Sequence, residues 1–130
     1  MGTRAPVSNH SIAKRATASD AICQPKTTTA IPTSFDWRTQ NIVTPVKNQQ
    51  QCGSCWAFAA TATIESLWAK RTSQMIDLSE QDLLNCAVTN GCNGATMDVS
   101  YRFVKSNGEA KEAAAPYMAR VFICYFLNLN

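Results

Sequence analysis

The chain has 130 residues, with 12 basic against 9 acidic side chains for a formal net charge of +3, and 45% of it is hydrophobic. A chain of that length suits one domain able to bury about two-thirds of its unfolded surface. The basic residues are scattered, which offers no nucleic-acid surface, and no stretch approaches the ~18 apolar residues of a membrane-spanning helix.

Residues 1–33 are rich in alanine, serine and threonine without a sustained period, and read as a disordered tail or the remnant of a leader. They hold a dibasic pair, Lys14-Arg15, and an acceptor pattern for glycosylation, Asn9-His10-Ser11, but no apolar core of a secretory signal. Residues 34–124 form the organised part. It opens with Phe35-Asp36-Trp37-Arg38 and continues through 42–46, a β-prone run whose Pro45 denies it a central ladder position, so an extended approach is expected there. Residues 57–70 are alanine-rich and carry few charges before Glu65, a composition that predicts a largely buried helix headed by Cys55.

Ser79 is placed to cap a short helix running to Cys86, with Asp82 three residues on to return the bond. Asn90-Gly91-Cys92-Asn93-Gly94 turns the chain. A third helix is predicted from Ala95 or Met97 to Ser106, with Met97, Tyr101 and Val104 on one face and Asn107-Gly108 as its stop. No internal repeat is present and the region reads as mainly helical.

Six cysteines make an even count that favours disulfides and an oxidising compartment. Two of them flank Gly53-Ser54 just before the first helix. A thiol at Cys55 would face first-turn N–H groups without intrahelical partners and the positive end of the helix dipole, which favours negative charge on sulfur. Cys52-Gly53-Ser54-Cys55 also has the form of a thioredoxin-type redox pair, but residues 47–51 are not the β-branched strand that fold requires. A zinc site from Cys52, Cys55, Cys86 and Cys92 has a second pair spaced too widely.

The segment from Gln49 to Phe58, together with Phe35-Asp36-Trp37-Arg38, residues 78–86 and Gly91 to Gly94, resembles the papain-like cysteine peptidases, whose active-site signature is Cys-Gly-Ser-Cys-Trp. The resemblance implies an α+β fold of two lobes, of which this chain covers mainly the helical one. It implies Cys55 as the nucleophile that forms a thioester, and Gln49, with the backbone N–H of Cys55, as the oxyanion hole. Trp56, Gly94 and Ala95 become the substrate-binding residues. Many members carry a second glycine where Ala95 stands, and its methyl group would crowd a bound peptide.

By the same resemblance Cys52 pairs with Cys92 and Cys86 with Cys124, each closed loop being worth about 3–4 kcal/mol in the chain-entropy model. The alternative leaves Cys124 free in an unrelated tail, and Cys23 has no partner in either case. Residues 121–130 lack the turn-rich character expected around that bridge, as translation into an intron would give, and 125–130 read as a divergent end. No cofactor and no metal are implied. The implied partners are peptide or protein substrates and protein inhibitors, with no nucleic acid and no membrane, in an extracellular or lysosomal setting.

The catalytic histidine and its orienting asparagine lie ~130–150 residues beyond the nucleophile in that family. Here the only histidine is His10. The expectation is a cysteine endopeptidase chain inactive on its own; the alternative is a peptidase homologue without activity that binds other proteins.

Overall fold

In the computed structural model, which describes residues 30–124, the alanine-rich run folds as helix α1, Cys55–Thr72. It begins at Cys55, as expected, and ends where Ser73 turns left-handed (φ 58°) and returns its N–H to Ala69 O. Lys70 and Arg71 occupy the last turn, at the negative end of the dipole. Only one face of α1 is covered. Trp56, Ala57, Ala60, Thr61, Glu65 and Ala69 are buried, while Leu67 and Trp68 are 53% and 47% exposed. The expected largely buried helix is thus corrected. Its inward face takes Trp56, small alanines and two polar residues that find partners, while Leu67 and Trp68 turn outward.

Helix α2, Glu80–Cys86, starts as its sequence suggests: Ser79 Oγ accepts from Asp82 N at 3.1 Å. Asp82 does not return the bond. Its Oδ2 accepts from Ala110 N at 3.0 Å, and Ser79 N donates instead to Ala110 O at 2.9 Å. Leu83 and Leu84 are fully buried and join Cys52, Trp56, Ala57 and Ala60 in one core, where the alanines let α2 lie close against α1.

Helix α3, Met97–Asn107, stops at Gly108, whose φ of 81° suits glycine. Its inward face differs from the expected one. Val99, Phe103 and Val104 pack on the core and Ser100 is buried, whereas Met97 and Tyr101 are 46% and 38% exposed. Ser100 supplies a small residue where α3 meets its neighbours, and its polarity hid the true face in the sequence.

Beyond α3 the chain runs back over α2 as a strap with little regular structure. Its backbone groups need partners, and the polar side chains of α2 supply them. Gln81 Oε1 accepts from Met118 N at 2.9 Å, Gln81 Nε2 donates to Arg120 O at 2.8 Å, and Asn85 Oδ1 accepts from Phe122 N at 2.9 Å. Ser79 Oγ donates to Ala115 O at 2.5 Å. The disulfide Cys86–Cys124 ties the strap to the end of α2. Among the described residues the β pairing is a single antiparallel bridge, Leu78 with Lys111, and the run at 42–46 stays extended without becoming a strand. No described helix is long and apolar enough to cross a membrane. His10, Lys14-Arg15, the Asn9 acceptor, Cys23 and residues 125–130 lie outside the described residues, and the expectations made for them stand apart from the structure.

Candidate active site

Residues 49–55 form a loop clamped from below. Cys52, 6% exposed, is joined to Cys92 across a sequence separation of 40, and Gly53 N donates to Cys92 O at 2.9 Å. A Cβ on Gly53 would stand 2.4 Å from that carbonyl oxygen, so the loop and the turn approach more closely than any other residue allows. Gly53→Ala is expected to lower stability by about 1–3 kcal/mol through this overlap with backbone, read as a lower midpoint in urea unfolding. A midpoint unchanged from the parent would show that the clamp yields freely.

With Cys52 bonded to Cys92, the Cys-x-x-Cys pair is not joined to itself, and Cys52, Cys86 and Cys92 are all spent in disulfides that remove them as zinc ligands. Cys55 is the free and exposed cysteine among the described residues. It occupies the first position of α1. Ser54 precedes it as N-cap but forms no side-chain capping bond, because its hydroxyl lies 2.6 Å from the Tyr117 hydroxyl. The cap residue is therefore diverted, and the first-turn N–H groups beside the thiol are left without the usual serine oxygen.

Gln49 is half-buried, and its Nε2 donates to Cys52 O at 2.9 Å, closing the loop on itself. Its carbonyl oxygen accepts from Tyr117 Oη at 2.7 Å. Trp56 is 3% exposed and its indole N–H donates to Gly91 O at 3.0 Å, supporting the turn from inside. Gly94 is exposed, with a φ of 95° that suits glycine and open space around it, while Ala95 packs partly against the core. Gln49 is thus bonded to Cys52 within the loop, and the loop is clamped to the turn that carries Gly94 and Ala95. The sequence alone does not single out Tyr117 or Ser54 for the site, since nothing local marks a hydroxyl that acts 63 residues away.

A family model described as papain family cysteine protease matches residues 31–127. Cathepsin F of Drosophila melanogaster is 44% identical over 114 residues, covering 86% of this chain and 19% of that protein. Ananain of Ananas comosus is 47% identical over 96 residues, 73% of this chain and 28% of that protein. Human cathepsin L2 is 45% identical over 104 residues, 77% of this chain and 31% of that protein. The chain thus spans less than a third of the length of these curated relatives. A solved structure of the bromelain protease from Ananas comosus in complex with the E64 inhibitor superposes with a TM-score of 0.71 at 44% identity, over 74% of this chain and 45% of that one.

Proposed function

Because the chain belongs to the papain family of cysteine proteases, we propose that Cys55 is the nucleophile of an amide-hydrolysing site on protein or peptide substrates. The sulfur would attack a peptide carbonyl, with the backbone N–H of Cys55 and the Gln49 side-chain amide receiving the developing oxyanion; collapse breaks the C–N bond and leaves a thioester. The observation that carries this reading is the diverted cap: an exposed thiol sits at a helix start that receives no bond from the Ser54 hydroxyl. Gly94 and Ala95 would border the substrate. Two disulfides support an oxidising setting, extracellular or lysosomal, and exposure of the site supports access by protein inhibitors.

The leaving amine needs a proton donor, and the described residues contain no histidine. The 130-residue chain is therefore expected to react at Cys55 without turning over peptide. With a fluorogenic peptide, its rate should equal that of Cys55→Ala, while iodoacetamide should label Cys55, located by peptide mass spectrometry. Turnover abolished by Cys55→Ala would refute the claim of inactivity, and an unlabelled Cys55 would sink the nucleophile.

A second reading, a homologue that binds without cleaving, is favoured by an open groove of ≈ 420 Å³ lined by Trp37, Ile42, Val43, Ala62, Leu67 and Lys70. Under it Cys55 would be no more reactive than an ordinary exposed thiol.

A further inference from the structure

We propose that Tyr117 is a positioning residue for acyl transfer at Cys55, its hydroxyl holding Gln49 in place and keeping Ser54 from capping α1. The inference rests on the reading of Cys55 as a nucleophile.

The phenol stands between two flanks of the same loop. It donates its single proton to Gln49 O at 2.7 Å, so the 2.6 Å contact with Ser54 must be donated by the serine. The serine end of the pair is fully buried. The tyrosine is itself fixed from three sides. Its N–H donates to Glu112 Oε1 at 2.9 Å, its ring meets the edge of Phe58 from α1 with centroids 4.8 Å apart, and the next residue, Met118, is bonded to Gln81 of α2. A rigid strap thus carries one hydroxyl to the loop.

Removing that oxygen has two consequences. Gln49 O loses a donor, so the segment carrying the oxyanion amide is free to shift. The Ser54 hydroxyl loses its acceptor while buried, and the nearest remedy is the role serine normally takes at a helix start, accepting from first-turn N–H groups. A cap oxygen accepts from the second or third N–H of the helix, next to that of Cys55, and the tightened first turn would swing the Cys55 N–H away from an oxyanion. Alkylation of the sulfur forms no oxyanion and should be indifferent to either change.

The test compares two reactions of Cys55 in the 130-residue chain. With p-nitrophenyl acetate the sulfur attacks the ester carbonyl, a C–S bond forms, the C–O bond breaks, p-nitrophenolate departs and the thiol proton passes to water. With iodoacetamide the sulfur displaces iodide. Tyr117→Phe keeps the ring against Phe58 and is expected to slow acylation about tenfold, a fraction of the loss seen when an oxyanion donor is deleted outright, with alkylation within about twofold. Gln49→Ala should slow acylation as well, and Tyr117→Phe added to it should do less than it does alone, because both act through one amide. Ser54→Ala, which cannot recap the helix, provides a second variant: adding it to Tyr117→Phe should recover part of the lost rate.

A parallel fall in both reactions would assign Tyr117 a purely structural role and overturn the proposal, as would unchanged acylation or full additivity with Gln49→Ala. A parent chain acylated no faster than free cysteine would instead refute Cys55 as the nucleophile, and the positioning role with it.

Discussion

Replacing Lys47 with methionine is expected to destabilise the folded chain by about 3–5 kcal/mol, the loss typical when one member of a buried charge cluster is removed. The Lys47 ammonium lies 2.7 Å from Asp77, 3.0 Å from Glu80 and 3.4 Å from Glu65, and also donates to Leu78 O at 3.1 Å. Glu65 and Glu80 are 1% and 2% exposed. Glu65 also accepts from Thr44 Oγ1 at 2.6 Å and from Leu78 N at 2.8 Å, so the cluster ties the extended approach at Thr44 to α1 and to the entrance of α2. Burial alone would push the ammonium down, but the hydrogen bonds to Asp77 and Glu80 and the charges of Glu80 and Glu65 outweigh it and hold Lys47 above the ordinary lysine range.

One cation faces three carboxylates, and burial pushes the Glu80 carboxyl up in spite of Lys47. Without the lysine that rise must grow. A carboxyl raised in the folded state contributes stability that is complete below its unfolded value and lost as pH rises, so the deficit of Lys47→Met should be largest near neutrality and shrink toward pH 4. Urea unfolding of both proteins at the two pH values measures this. A loss below about 1 kcal/mol at pH 7 would mean that the cluster behaves as a solvated surface pair.

The helices were legible because their signals are local. Alanines after Cys55, Ser79 ahead of α2 and Gly108 behind α3 each act within one turn, and each marks an observed boundary within two residues. The faces were less legible. Glu80 and Gln81 are polar residues that nothing local marks as buried, yet both are, because their partners lie in distant segments: Lys47 for one, the strap at Met118 and Arg120 for the other. Ser100 likewise moved the inward face of α3 away from Met97 and Tyr101. At the site, Cys55 and the Cys52–Cys92 clamp were implied by the family resemblance of residues 49–58 and the turn at Cys92, whereas Tyr117 acts through a hydroxyl whose partners are fixed only by tertiary folding. Sequence periodicity reports which residues share a face. It does not report which buried polar groups will find each other.

Glu109 is the clearest instance, and it carries the second large effect. It follows the stop of α3, where its Oε1 accepts from Thr61 Oγ1 of α1 at 2.6 Å while its buried Oε2 has no hydrogen-bond partner. Burial pushes its carboxyl up to about 7, Thr61 opposes that rise, and the negative charges of Glu80, Asp82 and Glu65 reinforce it. The folded state therefore holds a proton that the unfolded chain releases near the ordinary glutamate value of 4.5. Between those two values the native chain binds more protons than the unfolded one, so stability must fall as pH rises. The contribution is complete below 4.5 and gone above about 7, a span worth about 3 kcal/mol at 1.36 kcal/mol per unit.

Glu109→Gln should remove most of this slope. The amide matches the protonated acid in shape, keeps an oxygen for Thr61 and cannot ionise, so the variant should resemble the parent near pH 5 and exceed it by about 2–3 kcal/mol at pH 8. Glu80 titrates in the same direction and leaves a residual slope in both proteins. Urea unfolding from pH 5 to 8 would decide it: parallel curves for parent and variant would mean that Glu109 reaches water in the folded chain.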